Sequence, residues 1–378
     1  MDLTSNIIDI DSHEMVPSHM WGEIFGPNSA KMEEILRPLF VLLEDHNDFY
    51  RPEITSDDTP LTEENVWNIR GVKAPGSFDP ERRIVAMDLM GIERQLVFPS
   101  CALFAFGRRF TEGQVARDCV SEYNDWAART TKAYPRLRPV ALLPMDDTPE
   151  QALADAQKLV DSGVKAVQIA VNVPPCGLSP AAEALDPVWA VLERNNIAVT
   201  GHIGEIGFLK DDFTKGAPLL AIEKSTSLEI GFSPYHLSII HYPAMNYLTA
   251  MVLGGVFERF PNLRVGMIEF GAAWFGEFAE NLDIWANMFR RRLDRELSLK
   301  PSEYLARNVR VTPFHFEAMD LYISRHPKLA SSYCYSSDYP HMEGGKHSKT
   351  TVINKLKPLG EEVIQQYFVT NGELLAPA

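Results

Sequence analysis

Asp11 and His13 lie in the run Ile7-Ile8-Asp9-Ile10-Asp11-Ser12-His13, where apolar Ile8 and Ile10 alternate with polar residues as in a strand with one buried face. Side chains two apart on a strand project the same way, so a carboxylate and an imidazole are delivered together. That pair is half of a metal site. Alone, it is equally a turn cap beside a polar strand end, so the rest of the chain has to decide. Other ionisable residues close apolar runs in the same manner: His202 ends Ile197 to His202, Glu269 ends Leu263 to Glu269, His315 follows Val309 to Thr312, and Asp338 ends Tyr333 to Asp338. A lone histidine at a strand end is usually a hydrogen-bonded structural residue. Five strand ends converging on one mouth are not explained that way. Buried carboxylates in close company repel one another and take up protons unless a cation sits between them, and a divalent metal supplies that cation.

The elements that must position these residues alternate. The runs Ile7 to His13, Gln95 to Pro99, Pro139 to Leu143, Ala166 to Val171, Ile197 to His202, Leu263 to Glu269, Val309 to Thr312 and Tyr333 to Asp338 read as eight strands. Between them lie the segment Asp79 to Met90 before Gly91 and helices expected over Glu112 to Tyr134, Pro187 to Arg194, Tyr247 to Phe260, Trp274 to Leu293 and Phe316 to Arg325. One more helix is signposted by Thr148 as its cap, Pro149 in its first turn and Gly163 past its end. The tail, Thr351 to Leu375, reads as helical and amphipathic. Strands alternating with helices imply parallel βαβ units, and eight of them imply an α/β fold closed as a distorted (β/α)8 TIM barrel. An open doubly wound sheet is the alternative, weakened by the lack of a Gly-x-Gly-x-x-Gly turn after the first strand. No domain boundary appears, so residues 1–378 are expected to form a single barrel domain. Insertions at 14–77, irregular but carrying short helices, and at 203–240, after strands one and five, are expected to lie over its mouth.

The bulk properties exclude several classes. The formal net charge is -15, with 51 Asp plus Glu against 36 Lys plus Arg. A nucleic-acid or anionic membrane surface would need a dense basic patch instead. The 4 cysteines, Cys101, Cys119, Cys176 and Cys334, have no CxxC or zinc-ribbon spacing and suit reduced thiols. No basic leader precedes an apolar run, and no apolar stretch approaches 18 residues, so the expectation is a soluble, cytoplasmic protein.

Longer motifs carry a resemblance. Asp11-x-His13, the Gly-His-Ile at His202, the run Gly255-Val256-Phe257-Glu258-Arg259-Phe260-Pro261-Asn262-Leu263 and Ser337-Asp338-Tyr339-Pro340-His341 resemble the amidohydrolase-related branch of the amidohydrolase superfamily. That branch includes aminocarboxymuconate semialdehyde decarboxylase and related nonoxidative aromatic acid decarboxylases, and the resemblance spans nearly the whole chain. It implies a metal held by Asp11, His13, His202 and Asp338, and a homo-oligomer, a dimer, acting on a small molecule. Zinc is the expected ion, with manganese or iron as alternatives and one or two ions in the site. The chain departs from many relatives in carrying Glu269 where they have a histidine thought to assist proton transfer. His241 is a candidate substitute for it, and Glu269 and His241 are candidate further ligands. His341 is expected behind the donors, as a loop residue.

Three reactions suit such a site. A metal-activated water with Asp338 as general base would hydrolyse a C–N or C–O bond, and this reading comes first. A metal chelating a substrate carboxylate, with His241 or His315 delivering a proton to carbon, would release carbon dioxide. A dinuclear centre built from Asp11, His13, His202, His241, Glu269 and Asp338 would suit di-iron oxygen chemistry. Phe49, Tyr50, Trp67, Phe208, Phe213 and Phe232 in the insertions are expected to wall a ring-bearing substrate.

Overall fold

The computed structural model describes residues 6–42, 50–100, 113–203, 213–220, 233–293, 295–341, 344–345 and 347–378, with the side chains of 39–42 left aside. Its strands are β1 (Ile7–Asp9), β2 (His13–Glu14), β3 (Ile92–Pro99), β4 (Leu137–Pro139), β5 (Ala141–Leu142), β6 (Ala166–Gln168), β7 (Ala198–His202), β8 (Arg264–Ile268) and β9 (Val309–Val311). Every pairing between them is parallel. One sheet has the order β1-β3-β2 with β4 also on β3, and the other has the order β5-β6-β7-β8-β9.

Hydrogen bonds join the two sheets at both edges. β4 and β5 are parted only by Val140, whose N–H donates to the Val97 carbonyl at 2.8 Å. On the far side, residues 333–339 run between β9 and the first strand. Cys334 N–H donates to Val311 at 3.1 Å, Ile10 N–H to Tyr335 at 3.3 Å and His13 N–H to Tyr339 at 2.7 Å. This eighth run carries isolated bridges, Val311 to Tyr333 and Ser12 to Tyr339, rather than a continuous ladder. The result is a parallel α/β barrel, distorted where the first strand breaks between β1 and β2.

Small residues explain how the barrel is filled. Ile8, Ile10, Leu96, Phe98, Val140, Ala166, Ala198, Ile268 and Cys334 form an inner cluster with Leu375 and Ala376 from the end of the chain. A Cβ on Gly266 would stand 2.8 Å from Leu375 Cδ1, so glycine is what lets the terminal leucine enter. Arg264 holds this plug by donating to the Leu374 carbonyl at 3.0 Å, and Arg94 donates to Ala376 at 3.1 Å.

Local signals set the helices. Asp79 caps Pro80–Met90 by accepting from the N–H groups of Glu81 and Arg82, and Gly91 ends that helix at φ 76°. Thr148 caps Pro149–Ser162 and Gly163 terminates it in the left-handed region, as expected. Other boundaries differ. Tyr247 to Phe260 is two helices, Tyr242–Leu253 and Val256–Arg259, because Gly255 sits at φ 74° between them. The long helix after Trp274 divides into Phe275–Met288 and Arg290–Leu293. The fourth strand stops at Gln168, and the tail is a series of short helical pieces from Ser348–Leu356 onward.

The first insertion carries helices as expected, one of them longer than its composition suggests: Pro27–Leu42, 16 residues with Pro38 inside it. Trp21, Phe25, Met32 and Leu36 pack with Tyr123 and Trp126 of helix Gln114–Ala133 in a second core. Tyr50 packs against that core and Trp67 against the main one, while Phe213 is exposed. Phe49, Cys101, Phe208, Phe232 and most of the second insertion lie outside the described residues. Among the described residues, no helix is long and apolar enough to cross a membrane.

Candidate metal centre

The first strand reaches the site through a buried scaffold. Ser12 Oγ donates to the Leu96 carbonyl at 2.7 Å and Asp338 N–H donates to the Asp11 carbonyl at 2.9 Å, which pins residues 11–13 between β3 and the eighth run. Behind them the Asp9 carboxylate accepts from Gln95 Nε2 at 2.7 Å, Ser337 Oγ at 2.6 Å and Ser337 N at 2.9 Å. Burial pushes the Asp9 carboxyl up to about 7, against the hydrogen bonds of Ser337 and Gln95 that favour its charge. Arg83 Nε donates to Gln95 Oε1 at 2.9 Å, and its other nitrogens reach the carbonyls of Gly76, His13 and Tyr339. One arginine thus fastens the helix Pro80–Met90 to the two runs that carry Asp11, His13 and Asp338.

His202 ends β7. Its Nδ1 lies 2.9 Å from the Ile203 carbonyl, which only accepts, so Nδ1 donates and Nε2 is the nitrogen that faces the cluster. That nitrogen is 3.4 Å from Asp11 Oδ1 and 3.2 Å from Glu269 Oε2. His13 Nε2 is 3.5 Å from Asp11 Oδ1, 3.5 Å from Asp338 Oδ1 and 4.0 Å from Glu269 Oε2. Burial pushes His13 well below the usual histidine range, with His341 and His202 adding to the effect, so it is held as a neutral imidazole. Glu269 and Asp338 occupy left-handed backbone at φ 62° and 50°. That conformation costs a side-chain-bearing residue on the order of 1 kcal/mol, so surrounding bonds must enforce it. Thr312 Oγ1 does so for Glu269 by accepting its N–H at 2.7 Å.

The structure therefore brings Asp11, His13, His202, Glu269 and Asp338 together and adds a residue expected behind them. His341 Nδ1 is 3.2 Å from Asp338 Oδ1, its Nε2 is 3.1 Å from Ser100 Oγ, and its ring stacks on His13 at 3.8 Å. The donors fall into two groups whose ligand atoms lie within 4.8 Å of one another, Asp11–His13–His202 and His13–Glu269–Asp338–His341. His241 belongs to neither. It sits at the start of helix Tyr242–Leu253, makes no capping bond with its side chain, and stacks on Trp274 at 5.8 Å.

A small pocket opens on this cluster, lined by Asp11, Glu269, Asp338, Phe314 and His315 among others. None of the insertion aromatics lines it among the described residues; Phe314 is the aromatic side chain that does. Its loops are held by Glu317, whose carboxylate accepts from the N–H groups of Phe314 at 2.8 Å, Ala272 at 3.1 Å and Ala273 at 2.9 Å. His315 is pushed below its ordinary pKa by burial and by Lys355, while Asp338 pulls the other way.

The donor set fits a divalent cation. Asp11 Oδ2, both oxygens of Asp338 and both nitrogens of His13 are buried without a hydrogen-bond partner. Unpaired buried carboxylate oxygens are costly, and a hard or borderline cation compensates them. Carboxylate and imidazole donors together suit zinc, manganese or iron.

Comparison with known proteins agrees with this architecture. A family model described as Amidohydrolase matches residues 8–373. Similar solved structures include an amidohydrolase from Mycobacterium avium subsp. paratuberculosis K-10, 19% identical with a TM-score of 0.68 over 98% of this chain and 99% of that one. A 5-carboxyvanillate decarboxylase from Novosphingobium aromaticivorans, complexed with manganese and 4-hydroxy-3-methoxy-5-nitrobenzoic acid, is 17% identical with a TM-score of 0.65 over 100% and 97% of the two chains. A 2,6-dihydroxybenzoate decarboxylase from Rhizobium is 16% identical, TM-score 0.60, over 98% of each.

Proposed function

The chain belongs to the amidohydrolase family, and from that premise we propose that it is a metal-dependent, nonoxidative decarboxylase of ring-bearing carboxylic acids, in the branch that includes aminocarboxymuconate semialdehyde decarboxylase. The observation that carries the proposal is the buried, unpaired donor set of Asp11, His13 and Asp338, completed by His202 and opening on a pocket beside Phe314 and His315. Hydrolysis, the first of the sequence-based readings, gives way because solved structures that share the fold include decarboxylases of hydroxylated benzoates.

Asp11, His13, His202 and Asp338 would hold the cation. When bound, it supplies a Lewis acid for the substrate carboxylate and a neighbouring oxygen. The chain's own residues do the rest. The Phe314 ring lines the pocket and is available to the face of a ring-bearing substrate. Loss of carbon dioxide requires one proton at the ring carbon that bore the carboxylate, so that the substrate carboxylate and a proton become carbon dioxide and a C–H bond. In this reading Asp338 hands over that proton. His341 Nδ1 stands 3.2 Å from its Oδ1, and Ser100 Oγ lies 3.1 Å beyond His341 Nε2, which gives a path for resupply. The alternative donor, His315, lines the pocket as a neutral imidazole and serves to orient a substrate hydroxyl.

Carbon dioxide release from manganese-loaded protein, measured without dioxygen over a panel of ortho-hydroxylated benzoic acids, tests this reading. Release from at least one of them is expected. No release from any, together with cleavage of amide or lactone probes, would restore hydrolysis.

A further inference from the structure

We propose that the floor of the barrel, at the opposite end from the metal centre, binds a small oxyanion of the phosphate class, held by Arg94, Arg138 and Arg264 beside the terminal plug. The site lies outside the machinery assigned to the reaction.

Strand register places these side chains. All strands run parallel, so one end of the barrel collects their starts and the other their ends. His202 closes β7 at the mouth, whereas Arg264 opens β8 level with Ala198, the first residue of β7. Arg94 stands two before Leu96, Arg138 two before Val140 and Arg264 four before Ile268, so each takes the side of its strand that carries the inner cluster. Arg310 is level with Gly266, where Leu375 enters. Arg138 is 7% exposed, Arg264 and Arg310 are 8% exposed, and the Arg94 side chain is 14% exposed. Four guanidinium groups therefore ring the floor around Leu374 to Ala376.

The ring is not neutralised from within. Its hydrogen bonds run to carbonyls: Arg94 to Ala376 at 3.1 Å, Arg264 Nη1 to Leu374 at 3.0 Å, and Arg310 to Asn371 at 3.0 Å and Val309 at 2.9 Å. A carbonyl satisfies an N–H but brings no formal charge. Among the described residues, the ring's one ion pair is the 3.6 Å contact of Arg94 Nη2 with Glu373 Oε1. Burial, with Arg94 and Arg264 adding to it, pushes Arg138 down to about 10, and burial alone does the same to Arg264. Buried like charges of this kind are costly until an anion compensates them.

Two of the four also have donors unspent. Arg264 Nη2 is buried without a hydrogen-bond partner, although the residue is more than nine-tenths buried. Arg138 makes, among the described residues, a single long bond, from Nε to the Pro135 carbonyl at 3.5 Å. A guanidinium offers a planar fork that matches the oxygens of a phosphate. The charge selects a dianion, because four positive groups against Glu373 leave a threefold excess. Glu373 is half exposed, which gives the ring a side open to solvent.

Titration with inorganic phosphate, read by calorimetry and by the thermal unfolding midpoint against chloride at equal ionic strength, gives the test. Wild type should bind phosphate saturably, with the same affinity whether manganese-loaded or stripped by a chelator, and its midpoint should rise with phosphate beyond the chloride control. Arg138→Met should weaken phosphate binding by about 10- to 100-fold, the worth of a charge-assisted hydrogen bond, while keeping wild-type metal content. No saturable binding, or a midpoint that follows ionic strength alone, would overturn the site. Binding that disappears with the metal would put the anion at the mouth and overturn it equally, as would undiminished binding by Arg138→Met. If Arg138→Met does not fold, Arg94→Met carries the same expectation.

Discussion

Replacing His202 with alanine should strip the protein of its tightly bound cation and of turnover together. His202 cannot be spared by its neighbours, because its Nδ1 is committed to the Ile203 carbonyl and its Nε2 is the donor that faces both Asp11 and Glu269. Loss of a residue that merely orients a ligand costs about 10- to 100-fold in metal affinity, so loss of a ligand should exceed about 100-fold. Elemental analysis after dialysis against a weak chelator measures this, with circular dichroism to show that the barrel persists. Full occupancy in the variant would remove His202 from the ligand set.

Asp338→Asn should produce the second large effect, and it acts on chemistry more than on folding. Asparagine is nearly the same size and tolerates the left-handed backbone that Asp338 adopts at φ 50°. What disappears is the carboxylate between His13 and His341. At saturating manganese, turnover should fall by about 10²- to 10⁴-fold, the usual worth of a positioned acid or base. Binding of an unreactive ring carboxylate, followed by calorimetry, should change far less. Equal losses in binding and turnover would show that Asp338 only holds the ion.

Much of this centre was legible in the sequence because a parallel barrel puts strand ends at one mouth, so a residue closing an apolar run has a predictable destination. Asp11, His202 and Glu269 follow that rule. Thr148, Pro149 and Gly163 marked a helix for equally local reasons. His341 was not legible. It lies beyond the strand end, and it returns to the cluster only because its N–H donates to the Asp338 carbonyl at 2.7 Å, a turn that no periodicity announces. His241 misled in the opposite direction, since its place before an apolar helix suggested reach into the site while its ring stacks on Trp274. The helix Pro27–Leu42 was hidden by Pro38, a residue that normally argues against helix interior. The scaffold of Asp9, Gln95, Arg83 and Ser337 joins residues as far apart as Asp9 and Ser337, a separation at which sequence spacing carries no information.

The origin of the new bonds in the product separates decarboxylation from hydrolysis most directly. With an active substrate in hand, the reaction should be run once in deuterium oxide and once in heavy-oxygen water, and the organic product analysed by mass spectrometry. Decarboxylation predicts one solvent deuteron on the carbon that lost its carboxylate and no solvent oxygen gained by the organic product. Solvent oxygen in that product, with no deuteron on carbon, would contradict the account and identify the enzyme as a hydrolase.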